Sequence, residues 1–405
     1  MNENELFQVA LGLLPPWLVE RCTFEESAGR LDIYLDFPRG SVFPCPVCAV
    51  PSKAYDTSEL TWRHLNFFQH QAFLHARTPR VECAQCGVHR VTVPWARPDS
   101  GFTLLFEALV VMLVKAMPVR SVARLVGEYD TLIWRIVTHY VEEARSKADY
   151  SKVSQVGMDE TASRRGQKYV SLFVDMEQRN VLFTTPGKDS STVAAFAVDL
   201  KAHGGDPNAV TEVSADMSKA FAKGVKENLP NAEITFDKFH VVSLINEAVD
   251  EVRRLEKKDH PELTGSRYVF LKNPENLTAK QGRKSDSLDL AHSHLKTAKA
   301  YRLKLAFQDL YNQPPDQAKS YLDTWYFWAT HSRIPAIISV AKTIRYHQAG
   351  ILRWFTSHIN NGILEGINSL VQAAKAKARG YRSDRNLATI IYLIAGKLDL
   401  TPKPT

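Results

Sequence analysis

The chain has 405 residues, of which 44% are hydrophobic and 23% are charged, and its net charge is +7. This composition is typical of a globular protein and excludes a disordered or fibrous chain, and the length predicts two to four domains. The excess of positive charge favours a polyanionic partner only weakly.

Two segments bear on location. The start, MNENEL, is acidic where a secretory signal would be basic, and Pro15 and Pro16 interrupt its apolar run. The most apolar segment, 102–117, carries Glu107 and Lys115 and is shorter than the ~20 residues that a bilayer requires. We therefore expect a cytoplasmic protein that does not contact a membrane.

Residues 1–97 are strand-like and contain two C-x-x-C pairs, Cys45 with Cys48 and Cys83 with Cys86. The predicted strands are 30–37, 70–83 and 88–95. Two such pairs on facing turns complete a tetrahedral zinc site, and four protein ligands make that zinc structural. The sequence therefore predicts a zinc-ribbon domain. Two disulfides, or cysteines with no shared role, are the alternatives.

Residues 98–150 are helical. Within 117–141, the short helix RSVARLV, a turn at Gly127 and a longer helix from Asp130 have the order of a helix-turn-helix. Ser121 and Asp130 are predicted to cap these helices. On the second helix we expect Arg135 to face DNA and the following residues to pack inward: Ile133, Ile136, Val137 and Tyr140. The alternative is an ordinary helical hairpin.

From 151 to 242 the predicted order is β-β-β-α-β-α-β-α, which indicates a mixed sheet flanked by helices. Residues 243–355 are highly charged and helical in period, and we expect an all-helical insertion there. Residues 356–405 then return to the α/β domain. The fold class is therefore multidomain α+β.

Three aspartates occupy strand positions in the α/β region. Asp159 lies in the first strand, Asp216 ends the fourth and Asp237 ends the fifth. Because the first and fourth strands are predicted neighbours, Asp159 and Asp216 share a cleft, where two carboxylates repel unless a cation separates them. Hard oxygen ligands select Mg²⁺ or Mn²⁺, and a pair of ions supports in-line attack at phosphorus. Alternatively, Asp216 and Asp237 only cap helices. Strand alternation predicts that Glu160 points to the opposite face.

The segment 362–380 is predicted to be a helix that ends at Gly380. Its period places Glu365, Asn368, Gln372, Lys375 and Arg379 on one face, opposite an apolar face made of Ile363, Ile367, Leu370, Val371, Ala374 and Ala378. Glu365 could supply the third acid that a second metal ion needs. It could equally be a surface residue favoured by the helix dipole.

Together these motifs resemble DDE transposases of bacterial insertion sequences, specifically the ISL3 group. The resemblance covers nearly the whole chain and rests on the zinc ribbon, the helix-turn-helix and the segments GMDE, SADMSKAF, FDKFH, RYVFLKNPENLT and NGILEGINSLVQAAKAKARGYR. It implies a ribonuclease-H-like catalytic fold interrupted by the helical insertion. It also implies a catalytic triad of Asp159, Asp216 and Glu365.

The resemblance assigns supporting roles to Asp237 and His240, which form a D-x-x-H element, and to Asn368. Where related chains commonly carry Lys after that Asn, this chain has Val371 and Gln372, which puts a DNA contact there in doubt. Cations expected to bind phosphates are Arg164, Arg165, Lys168, Lys375, Arg379 and Arg382. Each could instead be a solvated surface charge.

The implied activity is binding of terminal inverted repeats, followed by metal-dependent cleavage and strand transfer. Water is the first nucleophile, and a freed 3′-hydroxyl then attacks the target. The expected cofactors are two Mg²⁺ (or Mn²⁺) ions and a structural Zn²⁺. The expected partners are double-stranded DNA and a second copy of the chain in a synaptic complex at the nucleoid. The alternatives are a nuclease or junction resolvase on the same fold, and a non-enzymatic DNA-binding regulator.

Overall fold

A computed structural model describes residues 2–164, 166, 168–289, 293–359 and 361–400. Within it the chain divides into two compact units, residues 1–145 and residues 146–397. The finer predicted boundaries, at 97, 242 and 355, stay predictions. Among the described residues, no helix combines the length and the apolar character that crossing a membrane requires.

The first unit is built around a six-stranded sheet of order β1-β2-β5-β4-β3, with β6 paired to β5. Its elements begin with helix α1 (Glu3–Ala10) and the strands β1 (Leu18–Glu25), β2 (Arg30–Asp36), β3 (Val42–Pro44), β4 (Pro51–Phe67), β5 (His70–Cys83) and β6 (Gly87–Arg90). The core beneath the sheet includes Trp17, Ile33, Trp62 and Leu74. The predicted strand at 88–95 is wrong beyond Arg90, because the chain leaves the edge of the sheet there.

Three helices complete this unit: α2 (Leu104–Ala116), α3 (Val119–Val126) and α4 (Asp130–Ser146). Gly127 ends α3 with φ of 74°, a left-handed conformation suited to glycine. The predicted inward residues of α4 are all buried, which confirms the helix-turn-helix pattern. The predicted caps are wrong. Pro118 precedes α3, so Ser121 lies inside it, and Asp130 is the first residue of α4.

A buried carboxylate holds α2 and α4 together. Glu107 is fully buried on α2 and accepts hydrogen bonds from Arg97 Nε at 3.0 Å, Ser100 Oγ at 2.7 Å and Tyr140 OH at 2.5 Å. A buried charge is stable only when its hydrogen-bonding capacity is used in this way. The orientation of the longer helix is therefore set by hydrogen bonds as well as by apolar packing.

The second unit contains a five-stranded sheet of order β11-β10-β7-β8-β9. Its strands and helices in this part are β7 (Gln155–Arg164), β8 (Lys168–Asp175), β9 (Asn180–Pro186), α5 (Ser190–Ala202), β10 (Glu212–Ala215), α6 (Lys219–Asn228) and β11 (Glu233–Phe236). β10 is parallel to both β7 and β11, whereas β8 and β9 are antiparallel. The predicted pairing of the first strand with the fourth is therefore present.

Every regular element described between Lys238 and Ser357 is helical. The longer helices are α7 (Lys238–Glu256), α8 (Arg267–Leu271), α9 (Ala279–Ser287), α10 (Lys296–Gln308), α11 (Pro315–Thr330), α12 (Pro335–Tyr346) and α13 (Gln348–Ser357). They share a core that includes Phe270, Phe307 and Trp325. A Cβ on Gly350 would lie 2.5 Å from the Phe236 ring, so α13 approaches β11 as closely as glycine allows.

Two further helices end the unit, α14 (Gly362–Ala378) and α15 (Asp384–Ala395). α14 begins as predicted at Gly362, and Arg379 and Gly380 both have positive φ after it. α14 packs against β7, and α15 packs against β9 and α14. The chain thus returns from the helical segment to the strand that carries Asp159.

Candidate active site and metal centre

The four predicted zinc ligands converge. Cys45, Cys48, Cys83 and Cys86 place their Sγ atoms within 4.8 Å of one another. Cys48 Sγ and Cys83 Sγ are 3.5 Å apart, and none of these cysteines is in a disulfide. Backbone N–H groups of Gln85 and Cys86 lower the pKa of the Cys83 thiol to about 7, whereas hydrogen bonds among the neighbouring thiols raise the pKa of Cys86 and Cys48 while no metal is bound. Four thiolates in this arrangement fit a structural Zn²⁺ ion.

The three strand aspartates lie on neighbouring strands of the second sheet, toward the same end of those strands. Asp159 is on β7, Asp216 directly follows β10 and Asp237 directly follows β11, and these three strands are adjacent and parallel. Burial raises the pKa of Asp159, and the nearby charges of Asp216 and Asp237 raise it further, while His240 lowers it. This end of the strands therefore carries a cluster of acids whose mutual repulsion a cation would relieve.

Asp237 is the most deeply buried of these acids, with only 1% of its surface exposed. Neither carboxylate oxygen has a hydrogen bond of full geometry among the described residues, although backbone N–H groups of Phe239, His240 and Asn361 lie close enough to lower its pKa. Burial raises its pKa, while the charge of His240 lowers it. Phe239 and His240 are in the first turn of α7, so capping of that helix stays an alternative for Asp237, whose hard oxygen atoms also suit a divalent cation.

Asp216 is half-buried and makes a local turn contact. Its Oδ1 accepts a hydrogen bond from the Ser218 backbone N–H at 3.0 Å, and the side chain that caps α6 is that of Ser218. Asp216 is therefore not the cap of α6. This geometry leaves room for a ligand role.

Replacing Asp237 with Asn should stabilise the protein at pH 8 when no Mg²⁺ is added. A carboxyl whose pKa is raised by folding favours the folded state below its ordinary pKa, and this advantage is lost as the pH rises through the raised value. Asn is nearly the same size and carries no charge, so the variant escapes that loss. Thermal unfolding at pH 5 and pH 8 measures the effect. A variant that is less stable than the natural protein at pH 8 would contradict it.

Glu160 lies close enough to the aspartates to interact with their charges. Burial raises its pKa, as do the charges of Asp216 and Asp159, while Lys188 and His240 lower it. Its backbone N–H donates to Asp159 Oδ1 at 2.8 Å. Asp159 and Glu160 follow each other in the regular antiparallel ladder with β8, where they pair with Leu172 and Ser171, so the opposite orientation of Glu160 stays a prediction.

The polar face of α14 lies against β7. Asn368 Nδ2 donates to Asp159 Oδ2 at 2.5 Å, and Gln372 Nε2 donates to Thr161 Oγ1 at 2.5 Å. Lys375 Nζ donates to the Ala162 carbonyl oxygen. The structure therefore brings Asn368 to Asp159 as the resemblance implied, and it gives Lys375 a backbone partner.

The apolar face of α14 differs from the prediction. Leu364, Ile367 and Val371 are buried, whereas Leu370 is 45% exposed. α14 rests on β7 through Leu364. The buried face of the helix is therefore rotated toward the sheet relative to the apolar face predicted from the sequence. The prediction missed Leu364 and wrongly included Leu370.

Glu365 is exposed and remains apart from the aspartates. In the described part of the chain, the four cysteines form the only group of three or more metal-binding side chains with ligand atoms within 4.8 Å of one another. The carboxylates of Asp159, Asp216 and Glu365 are therefore not gathered that closely. Glu365 lies in the first turn of α14, three residues before the Asn368 that contacts Asp159.

Gly157 sets the distance between α14 and β7. A Cβ there would lie 2.5 Å from Met176 Sδ and 2.9 Å from Leu364 Cδ1. We expect Gly157→Val to destabilise the protein by ~1–3 kcal/mol through overpacking. The displaced helix should also lower catalytic activity. Thermal unfolding measures the stability term.

The matched control for Gly157 is Gly366, on α14, where a Cβ would meet nothing within 4 Å. Gly366→Ala should stabilise the helix by ~0.5–1 kcal/mol. Equal unfolding temperatures for the two variants would contradict the close approach at Gly157.

Asn361 was not identified from the sequence. It is 1% exposed at the start of α14, its Oδ1 accepts a hydrogen bond from Ser214 Oγ on β10, and its Nδ2 has no described partner. Its backbone N–H lowers the pKa of Asp237. Asn361 thus joins α14 to the strands that carry the acids. No periodicity marks it, because it precedes the helix.

The predicted DNA-binding cations are placed as follows. Arg135 is exposed on α4, and Lys168 is exposed at the start of β8. Arg164 donates to the carbonyl oxygen of Arg382, so that pair links the β7–β8 turn to the segment after α14. Arg379 and Arg382 are exposed, and Arg165 lies outside the described residues. Their role as phosphate ligands stays a prediction.

Comparison with protein families gives three matches along the chain. A model of the ISL3 DDE transposase family, described as a transposase, matches residues 156–391. A helix-turn-helix domain of ISL3-family transposases matches residues 91–141. A zinc-finger of the transposases of IS204, IS1001, IS1096 and IS1165 matches residues 41–86. The three matched regions contain the acids, the helix pair and the cysteine cluster, respectively.

Two relatives resemble the chain over nearly their full length. The transposase for insertion sequence element IS1557 of Mycobacterium tuberculosis is 28% identical over 438 residues, which cover 99% of this chain and 98% of the relative. The transposase for insertion sequence element IS1001 of Bordetella parapertussis is 31% identical over 398 residues, which cover 94% of this chain and 96% of the relative. With the family model spanning more than half of its length, the chain belongs to the ISL3 family of insertion-sequence transposases.

Proposed function

We propose that this transposase binds the terminal inverted repeats of its own insertion sequence, cleaves the DNA at those ends and joins them to a target. The observation that carries the proposal is the set of three aspartates on adjacent parallel strands, Asp159 within β7 and the other two directly after β10 and β11, with Asn368 of α14 bonded to Asp159. A ribonuclease-H-like arrangement, interrupted by the helices between β11 and α14, accounts for this placement.

The acids fit a divalent cation by their chemistry. Asp237 is buried without a hydrogen bond of full geometry, burial and neighbouring negative charges raise the pKa of Asp159, and all the ligand atoms are hard oxygens. Mg²⁺ or Mn²⁺ ions held there would activate the attacking oxygen and stabilise the leaving oxygen at phosphorus. Asp159, Asp216 and Glu365 are the proposed ligands of two such ions.

Each side chain has a definite part in this proposal. Asn368 fixes the orientation of the Asp159 carboxylate through its hydrogen bond. Asp237 and His240 adjust the charge around Asp159, since one raises its pKa and the other lowers it. Glu365 would join the acids by a movement of the start of α14 when DNA is bound, because it now lies apart from them.

The remaining parts concern DNA. We assign sequence recognition to α4, with Arg135 exposed on it, and stabilisation of that domain to Zn²⁺ at the cysteine cluster. The exposed cations Lys168, Arg379 and Arg382, together with Arg164, Arg165 and Lys375, would neutralise phosphates. Double-stranded DNA is the partner, and synapsis of two ends calls for a homodimer. A nucleoid-associated location in the cytoplasm follows from this partner.

An assay with element-end DNA and Mg²⁺ separates this function from its alternatives. Joined products of end and target support transposition. Nicked or cut ends without joining support a nuclease or junction resolvase, and binding without cleavage supports a non-enzymatic regulator. Supercoiled plasmid as target and a duplex of unrelated sequence as control make the two chemical steps measurable in one reaction.

A further inference from the structure

The edge of the sheet that carries the acids also carries exposed aromatic side chains. Phe239, two residues after Asp237, is 57% exposed, and Tyr346, at the end of α12, is 76% exposed. Large apolar rings in contact with water are costly to maintain, and a cluster of them marks a binding surface more often than a single one does. Neither ring has a part in holding the acids.

Each of these rings has a lysine beside it. Lys238 Nζ lies 5.8 Å from the Phe239 ring centre and 5.5 Å from that of Trp354, which is half-buried on α13. Lys219 Nζ lies 5.9 Å from the Tyr346 ring centre. The surface therefore contains the same pair twice, an exposed aromatic ring with a lysine next to it.

The two ring–lysine pairs lie side by side. Ala215 and Phe236 are paired in the parallel ladder of β10 and β11, so Lys219 and Lys238, a few residues farther along each chain segment, leave the same edge of the sheet. Aromatic rings connect β11 to Tyr346. The ring centres of Phe236 and His347 are 4.9 Å apart, and those of His347 and Tyr346 are 4.8 Å apart. The aromatic surface thus borders Asp216 and Asp237.

The two lysines occupy positions that helix electrostatics disfavour. Lys219 and Lys238 are the first residues of α6 and α7, and neither helix has an acid in its first turn. Cations at this end oppose the helix dipole, whereas a phosphate there is stabilised by both the dipole and the lysine. The placement favours an anionic ligand over a structural role.

We infer that Phe239 and Tyr346, with Lys238 and Lys219, form a stacking surface for unpaired DNA bases next to the acids. A ring paired with a cation suits a nucleotide, because the base stacks on the ring while the lysine meets its phosphate. The inference rests on the proposed function, since cleavage at the acids requires a strand end beside them. Beyond that function, we infer that the bases next to the cleaved bond leave the duplex and stack on Phe239 and Tyr346.

The test measures binding of oligo(dT) of about 15 nucleotides, and of a matched duplex, to the full-length protein without Mg²⁺. Phe239→Ala and Tyr346→Ala are each expected to weaken oligo(dT) binding about tenfold and to leave duplex binding within about twofold. Phe239→Trp and Tyr346→Phe should retain binding. Unchanged oligo(dT) affinity in both Ala variants, or an equal loss for the duplex, would overturn the inference.

Tyr268→Ala is the matched control. Tyr268 is 57% exposed beside Arg267, but Arg267 pairs with Asp250, far along α7 from Phe239. Photocrosslinking of iodouracil-substituted oligonucleotide gives a local readout, with adducts expected on Phe239 or Tyr346. Adducts confined to other residues would overturn the inference. Because no step of this test requires Mg²⁺, oligo(dT) binding that both Ala substitutions leave unchanged refutes this surface alone, whereas absent cleavage by a natural protein that still binds oligo(dT) refutes only the proposed function.

Discussion

Glu365→Gln is expected to reduce metal-dependent cleavage of end DNA by ~10³-fold or more while leaving the unfolding temperature unchanged. A metal ligand contributes several kcal/mol in the transition state, and each ~1.4 kcal/mol is a factor of ten in rate. Glu365 is exposed on α14. Its replacement should therefore cost no folding energy, and any loss of activity comes from chemistry rather than from instability.

Glu177→Gln is the control for this substitution. Glu177 is also an exposed acid of the second unit, but it lies in the turn between β8 and β9 and contacts Ser154 Oγ at 3.3 Å. The Glu177→Gln variant should cleave end DNA as the natural protein does. The Glu177→Gln and Glu365→Gln variants should bind that DNA equally. If Glu365→Gln retains cleavage, Glu365 is a surface residue favoured by the helix dipole and the proposed triad is wrong.

Replacing Cys45 and Cys48 together with Ser should release zinc and unfold the zinc-binding part of the first unit. Zinc held by four thiolates contributes ~10–16 kcal/mol in small zinc domains, so the loss is not compensated by the short strands β3 and β6 alone. We expect zinc content to fall from one ion per chain to almost none. End-specific DNA binding should weaken at least about tenfold. Elemental analysis and binding titrations measure the two effects.

Cys22→Ser tests whether the effect is specific to the cluster. Cys22 is half-buried on β1, packs against the core of the first unit and is not among the four converging thiols. The Cys22 variant should therefore keep its zinc. Unchanged zinc content in the double variant would refute the metal centre.

Much of the site could be predicted because local patterns fix it. Asp216 and Asp237 end strands that read clearly in the sequence, and the order of strands and helices places β10 beside β7. Two C-x-x-C pairs predict one zinc site because the ligand number is complete. These features depend on residues close in sequence or on topological rules that leave few alternatives.

The remaining features depend on tertiary packing. The rotation of α14 that buries Leu364 is set by its contact at Gly157, more than two hundred residues earlier in the chain. Asn361 acquires its role through Ser214, and β4 was missed because its residues are half-exposed along most of its length. The charges of Asp216 and Asp159 reach Glu160 only through the folded arrangement of the strands. No periodicity in a single segment carries such information.

The central claim is that Asp159, Asp216 and Glu365 hold the same metal ions once DNA is bound. Fe²⁺ substituted for Mg²⁺ reacts with added H₂O₂ to give Fe³⁺, hydroxide and a hydroxyl radical, and ascorbate restores Fe²⁺; the radical cuts the polypeptide next to the ion, so fragment mapping identifies the residues that surround it. With end DNA present, we expect cuts beside residues 159, 216 and 365, all absent from Asp159→Asn. Cuts beside 159, 216 and 237 with none near 365 would contradict the claim and assign the third ligand to Asp237.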